Sequence, residues 1–194
     1  MRKVPKQARS RATVETLVEA GTHVLGRRGW GEFTTNEVAA VAGVSIGSLY
    51  QYFPNKLALI EAIRRRHFDD VLDVMQRASA STDSLEKSVS LLVRGMLAVH
   101  DSNPALHRAL LEEVPRSEET NAAHAEFEKA YLDHYTALAS RYRKRRSPQG
   151  DRVAARVLSA AVEGVVHHAA LHGLLDSAEL RRELTALVCG YVRR

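Results

Sequence analysis

A chain of 194 residues with 45% hydrophobic residues can fill a sizeable core, and it holds no run of about 18 apolar residues of the kind that crosses a bilayer. Its one cysteine, Cys189, excludes an internal disulfide. The net charge of +5 is unevenly spread: residues 1–66 carry 11 Lys and Arg against 5 Asp and Glu, whereas residues 67–194 carry 17 against 18, so a polyanionic partner is expected for the first third alone.

The basic start MRKVPKQARSR has no apolar signal core behind it, so a cytoplasmic protein is expected. Val14, Leu17, Val18, Gly21, Val24 and Leu25 then form a helical stripe that Arg27, Arg28 and Gly29 end. Thr34 with Glu37 three residues on has the spacing of a capping box and opens a short second helix through Val41. Gly43 breaks it, and Ser45 caps a third helix to about Phe53, punctuated by Pro54 and Asn55. Ile60, Ile63, Val71, Leu72 and Met75 mark a fourth helix ending near residues 80–84. Leu85, Val89, Leu92, Val93, Met96 and His100 share one face of a fifth. Asn103 and Pro104 start a sixth, which Pro115 closes. A long helix is expected from Ser117 to about Arg146, with Phe127, Tyr131, Tyr135, Leu138 and Tyr142 on one face. SPQG, residues 147–150, is expected as a loop before a helix to Gly173, and a last helix starts at Ser177. The fold class is all-α, about nine helices with short connections.

Residues 42–56, AGVSIGSLYQYFPNK, carry the functional signal. Two short helices joined by a tight glycine turn, the second opening with polar residues, have the helix-turn-helix layout. Val44 and Leu49 are expected in the core, which leaves Ser45, Ile46, Ser48, Tyr50, Gln51 and Tyr52 for DNA. Hydroxyls and lysine can donate to phosphate, glutamine can pair with adenine, and Ile46 can touch a thymine methyl. A plain helical hairpin with a solvated polar face is the competing reading.

Residues 34–63, TTNEVAAVAGVSIGSLYQYFPNKLALIEAI, resemble the DNA-binding region of TetR-family (tetracycline-repressor-like) transcriptional regulators. The likeness lies in the AGVS turn, the small Gly47, the LYxYF core and the Pro-x-Lys before an apolar helix. It implies a three-helix DNA-binding domain over residues 1–55 and a larger helical domain over 56–194 that dimerises and binds a small molecule. The function it implies is a repressor released from a palindromic operator by that effector. DNA contacts carried over from the family fall at Thr35, Asn36, Ser45, Ile46, Gly47, Ser48, Tyr50, Gln51, Tyr52 and Lys56. Tyr50, Gln51 and Lys56 are expected to serve DNA without stabilising the fold. Many relatives hold Lys or Arg near Ile46, and this recognition helix does not; the arm Arg2, Lys3, Lys6, Arg9 and Arg11 is a candidate compensation.

In the second half, helix 150–172 is apolar on more than one side, with Arg156, Ser159 and Glu163 as its polar sector. That pattern predicts a homodimer through the last two long helices, with Val157, Leu158, Ala161, Val165, Leu180, Leu184 and Leu187 as core or interface. His168 and His172 lie at i, i+4, and ligand contact, interface and metal all remain open for them. His100, Tyr131, His134 and Tyr135, with His168, are the candidate contacts of a planar or apolar effector. The run 141–146, RYRKRR, reads as positive charge complementing a helix end. No catalytic residue, metal or cofactor is expected, and no membrane. A helical metalloenzyme and an architectural DNA binder are the rival classes.

Overall fold

The computed structural model describes residues 8–81, 84–114, 118–144 and 147–194. Arg2, Lys3 and Lys6 of the arm, Pro115, Ser117 and residues 145–146 lie outside them, as does the side chain of Arg9. Every long element among the described residues is an α-helix. They are α1 (Ala8–Glu32), α2 (Thr35–Val41), α3 (Ile46–Tyr52), α4 (Lys56–Ala80) and α5 (Leu85–Asp101), then α6 (Pro104–Arg108) running into a π-helical turn (Ala109–Glu113). α7 (Glu118–Tyr142), α8 (Pro148–His172) and α9 (Ala178–Val192) complete the set. Residues 147–150, expected as a loop, are mostly the first turn of α8. Ser147 accepts the Gly150 N–H, and Pro148, which has no N–H to lose, takes the first helical position.

The packing divides into two units, one of residues up to His67 with the segment from Asn103 to Thr120, the other of the rest. The first unit includes the start of α4, which supplies Leu59, Ile60 and Ile63 to its core; the division at residue 55 is an expectation about function.

In the first unit those residues pack with Leu17, Val24 and Leu25 of α1, Val38 of α2, Leu49 of α3, Phe53, and Leu106 and Leu110. Asn103 seats α6 on α1: its Oδ1 caps the Leu106 N–H and its Nδ2 donates to the Thr22 carbonyl at 3.3 Å. Gly26 leaves room for it, since a Cβ there would lie 2.3 Å from the Asn103 side chain.

The second unit packs α5, α7, α8 and α9 with the end of α4. α5 buries the face the periodicity marked, Leu85 through His100. Arg141 and Arg143 of the basic run have specific partners. Arg141 donates to the Ser79 and Ser81 carbonyls at the end of α4, and Arg143 pairs with buried Asp151 at 3.1 Å. On α8 the expected polar sector is narrower than drawn: Ser159 is buried, its hydroxyl satisfied by the Arg156 carbonyl at 3.0 Å. Leu158 and Leu184 are core, whereas Val157 and Leu187 stand in water; Ala161, Val165 and Leu180 are intermediate. Cys189 is buried, and burial pushes its thiol above the usual value, as expected of an inert core residue.

Candidate nucleic-acid interface

The turn between α2 and α3 is built by local rules. Thr34 caps α2 by accepting the Glu37 N–H at 3.2 Å. Only half of the capping box forms, because the Glu37 carboxylate turns to Arg27 and Arg28 at the end of α1. Those two arginines thereby clamp α2 to α1. Gly43 takes φ 67°, the left-handed conformation that ends α2 at least cost, and Val44 N–H returns to the Ala39 carbonyl at 3.0 Å. Ser45 then caps α3, accepting the Ser48 N–H at 3.1 Å.

This geometry decides which side chains of α3 point where. Leu49 and Phe53 are fully buried and anchor the helix, and Val44 packs partly against the same core. Ile46 and Tyr50 are 38% and 43% exposed, and Gln51 is exposed beside them. Asn36 at the start of α2 is exposed, and Thr35 is half-buried with its hydroxyl 3.1 Å from the Tyr50 hydroxyl. That contact joins two of the predicted DNA residues across the turn. Ser45 and Ser48 are likewise paired, Oγ to Oγ, at 2.9 Å. A Cβ on Gly47 would meet only the Ser45 Oγ, at 3.8 Å, so nothing inside the chain requires a glycine there. Tyr52 differs from its neighbours, since its ring packs partly against the core.

Lys56 corrects an expectation. Its Nζ donates to the Trp30 carbonyl at 2.8 Å and sits 3.6 Å from the Trp30 ring centroid, so it serves the fold as well as the surface. Partial burial draws its ammonium below the usual lysine value. Asn55 is a cap the sequence reading passed over: its Oδ1 accepts the Ala58 N–H at 2.8 Å and starts α4. An asparagine just before an apolar helical stripe was the available signal.

The residues expected at an effector site all lie in the second unit. Tyr131 and Tyr135 meet, hydroxyls 3.4 Å apart and rings edge-on at 5.1 Å. Burial raises Tyr131 to about 12 and Tyr135 well above the usual phenol value. Phe68 and Phe127 stack at 4.1 Å and continue the column onto Tyr131 at 5.4 Å. His100 is buried and donates from Nδ1 to the Met96 carbonyl at 2.7 Å. His134 is tied to the Ser79 hydroxyl, and burial lowers its imidazole pKa. His168 is exposed, its ring 4.2 Å from that of His172.

Comparison with known proteins places this geometry. Residues 17–63 match the family described as bacterial regulatory proteins, tetR family. Residues 84–191 match the tetracyclin repressor-like C-terminal domain. A nucleoid occlusion factor of Glaesserella parasuis serovar 5 (strain SH0165), SlmA, is 29% identical over 111 residues, 56% of this chain and 53% of that protein. The chain thus spans about half the length of the curated relatives it matches. Among solved structures, a transcriptional regulator of Rhodococcus sp. Rha1 superposes with a TM-score of 0.77 at 18% identity, covering 92% of this chain and 95% of that one. A tetR-family regulator of Streptomyces coelicolor gives 0.74 at 21%, over 93% and 79%. At such identities these two likenesses concern the fold. No helix among the described residues is long and apolar enough to cross a membrane. With its reader in the N-terminal family domain and over half its length in the C-terminal one, the chain belongs to the tetR family of bacterial regulators, non-enzymatic DNA-binding proteins that control transcription.

Proposed function

We propose that this regulator is a cytoplasmic repressor that binds a palindromic operator as a homodimer and is released by a small-molecule effector. The observation carrying the DNA contacts is the division of labour on α3, where Leu49 and Phe53 anchor the helix and leave Ile46, Tyr50 and Gln51 in water. Thr35, Asn36, Ser45, Gly47, Ser48, the hydroxyl of Tyr52 and Lys56 complete the contact set. Selection of duplexes by the purified protein from random DNA tests the reading. A palindrome whose half-sites lie about one helical turn, or a multiple, apart is expected, and retention of all sequences alike would favour an architectural binder.

The homodimer is supported by the exposed apolar stripe of α8 and α9, where Val153, Val157, Leu171 and Leu187 are each at least 44% exposed. An exposed apolar face of this kind marks an association surface. The aromatic column of Phe68, Phe127, Tyr131 and Tyr135 supports a planar or apolar effector. No cofactor or metal is needed. Reciprocity tests the release: an inducer that weakens operator binding about 5–150-fold must itself bind that much more weakly to the operator complex. Equal ligand affinities with and without operator, repeated across ligands, would sink the switch.

A further inference from the structure

The kink near the end of α1 holds an arrangement that the helix-turn-helix does not account for. Gly29 adopts φ 70°, which breaks the helix and turns the Trp30 peptide out of its ladder. The freed Trp30 N–H donates to Glu113 Oε2 at 2.9 Å. The Trp30 carbonyl accepts from Lys56 Nζ at 2.8 Å, and the indole lies under that same ammonium. The backbone of one residue is therefore gripped on both sides, at its N–H by an acid 83 residues away and at its carbonyl by a lysine 26 residues away. Glu113 is the last residue of the π-helical turn, a rare geometry, and Arg108 one turn earlier approaches its other oxygen at 3.6 Å. Gly29 closes the arrangement, because a Cβ there would come within 3.0 Å of Glu113 Oε2.

A lysine on a flexible four-carbon stem loses considerable rotamer freedom when it is fixed on a phosphate. Here a carbonyl and a ring already fix Lys56, and the atom fixing the carbonyl's own residue is Glu113. We propose that Glu113 is a positioning residue for DNA binding, acting through Trp30 to hold Lys56 Nζ ready for a backbone phosphate. The inference rests on the proposed phosphate contact of Lys56.

The test compares Glu113→Ala, Glu113→Asp and Glu113→Gln with wild type on one duplex selected from random DNA, across a salt series. Ala and Gln remove the same charge, but Gln retains an acceptor for Trp30 N–H; Asp retains the charge but is too short. Glu113→Gln should keep the wild-type salt slope. Glu113→Ala and Glu113→Asp should flatten it by about one phosphate, so that raising salt from about 50 to about 200 mM costs them about 3.5-fold less affinity than it costs wild type. Should Glu113→Ala fail to fold, Glu113→Asp reads the same quantity. In a Lys56→Ala background, Glu113→Asp should have no further effect on the slope. Equal slopes for the Ala, Asp and Gln variants, or an undiminished Asp effect without Lys56, overturn the inference. A Lys56→Ala slope equal to wild type removes the phosphate contact itself and the inference with it.

Discussion

The recognition helix α3 and the outer faces of α8 and α9 expose side chains of opposite chemistry. On α3 Tyr50 and Gln51 are left in water, with Ser45 exposed at the cap and Ile46 the exposed aliphatic residue, over an anchor of Leu49 and Phe53 that Val44 and Tyr52 partly extend. On α8 and α9 they are Val153, Val157, Leu171 and Leu187, over cores that already bury Leu158, Val162, Leu184 and Val188. Equal exposure thus has different meanings. Hydrogen-bonding groups on a small rigid helix suit a polar, charged partner, whereas aliphatic groups gain only from a partner that excludes water.

The comparison breaks most sharply at the apolar stripe. Val157→Glu with Leu187→Glu places carboxylates on a face proposed to be covered by a second copy. Both positions are exposed, 44% and 50%, so the fold of the single chain should survive. Sedimentation should show monomers, and operator affinity should fall by about 10²–10⁴-fold as two linked readers become separate ones. A variant that still sediments as a dimer would move the interface off these helices.

On the reader the effects are smaller and sequence-dependent. Gln51→Ala should cost about 1–3 kcal/mol on the selected site and little on unrelated DNA, measured by competition. An equal loss on both would reduce Gln51 to a phosphate contact.

How far each region was legible follows from the range of its interactions. Ser45, Thr34 and Gly43 act within a few residues, so their caps and turn could be read directly from sequence, and with them the outward face of α3. The grip on Trp30 could not, because Glu113 lies 83 residues away and nothing in EEVP signals a partner. The bond of Lys56 to the Trp30 carbonyl, 26 residues away, was hidden for the same reason, so the lysine was read as a DNA contact with no part in the fold. In the second unit, periodicity identified the buried face of α5 but could not rank Val157 against Leu158, adjacent residues that differ only in which way the helix turns them. It also could not see that Ser159 satisfies itself on the Arg156 carbonyl and turns inward.

Gly47 offers a finer separation of folding from reading. A Cβ there makes only an ordinary contact, with the Ser45 Oγ at 3.8 Å, and a glycine in the middle of a helix costs about 0.5–1 kcal/mol relative to alanine, an upper bound for this first-turn position. Gly47→Ala should therefore raise stability by up to that amount while weakening DNA binding, because the added methyl stands at a position proposed to contact the duplex. Chemical denaturation and operator titration on the same sample measure both. A variant that is more stable and binds DNA as well as wild type would leave Gly47 without a role in reading.

The smallest effect expected belongs to the second unit and appears with pH. His100 is buried, and burial lowers its imidazole pKa; the Met96 carbonyl, accepting from Nδ1, opposes that shift, and the nearby His167 adds to it. The unfolded chain, with this group near its ordinary 6.5, therefore binds a proton more readily than the folded one. Stability from this residue is whole above about 6.5 and is lost progressively as pH falls from there through the folded-state value. His134, also lowered by burial, acts in the same direction, so the wild type alone does not isolate His100. His100→Gln keeps a donor within reach of the Met96 carbonyl and cannot titrate. Denaturation midpoints of the full chain at pH 7.5 and 5.5 should fall for both proteins, and by less for His100→Gln. The reader holds no imidazole on α2 or α3, so the DNA contacts themselves should not follow this titration. Identical losses in wild type and variant would mean that His100 accepts its proton in the folded chain as readily as in the unfolded one.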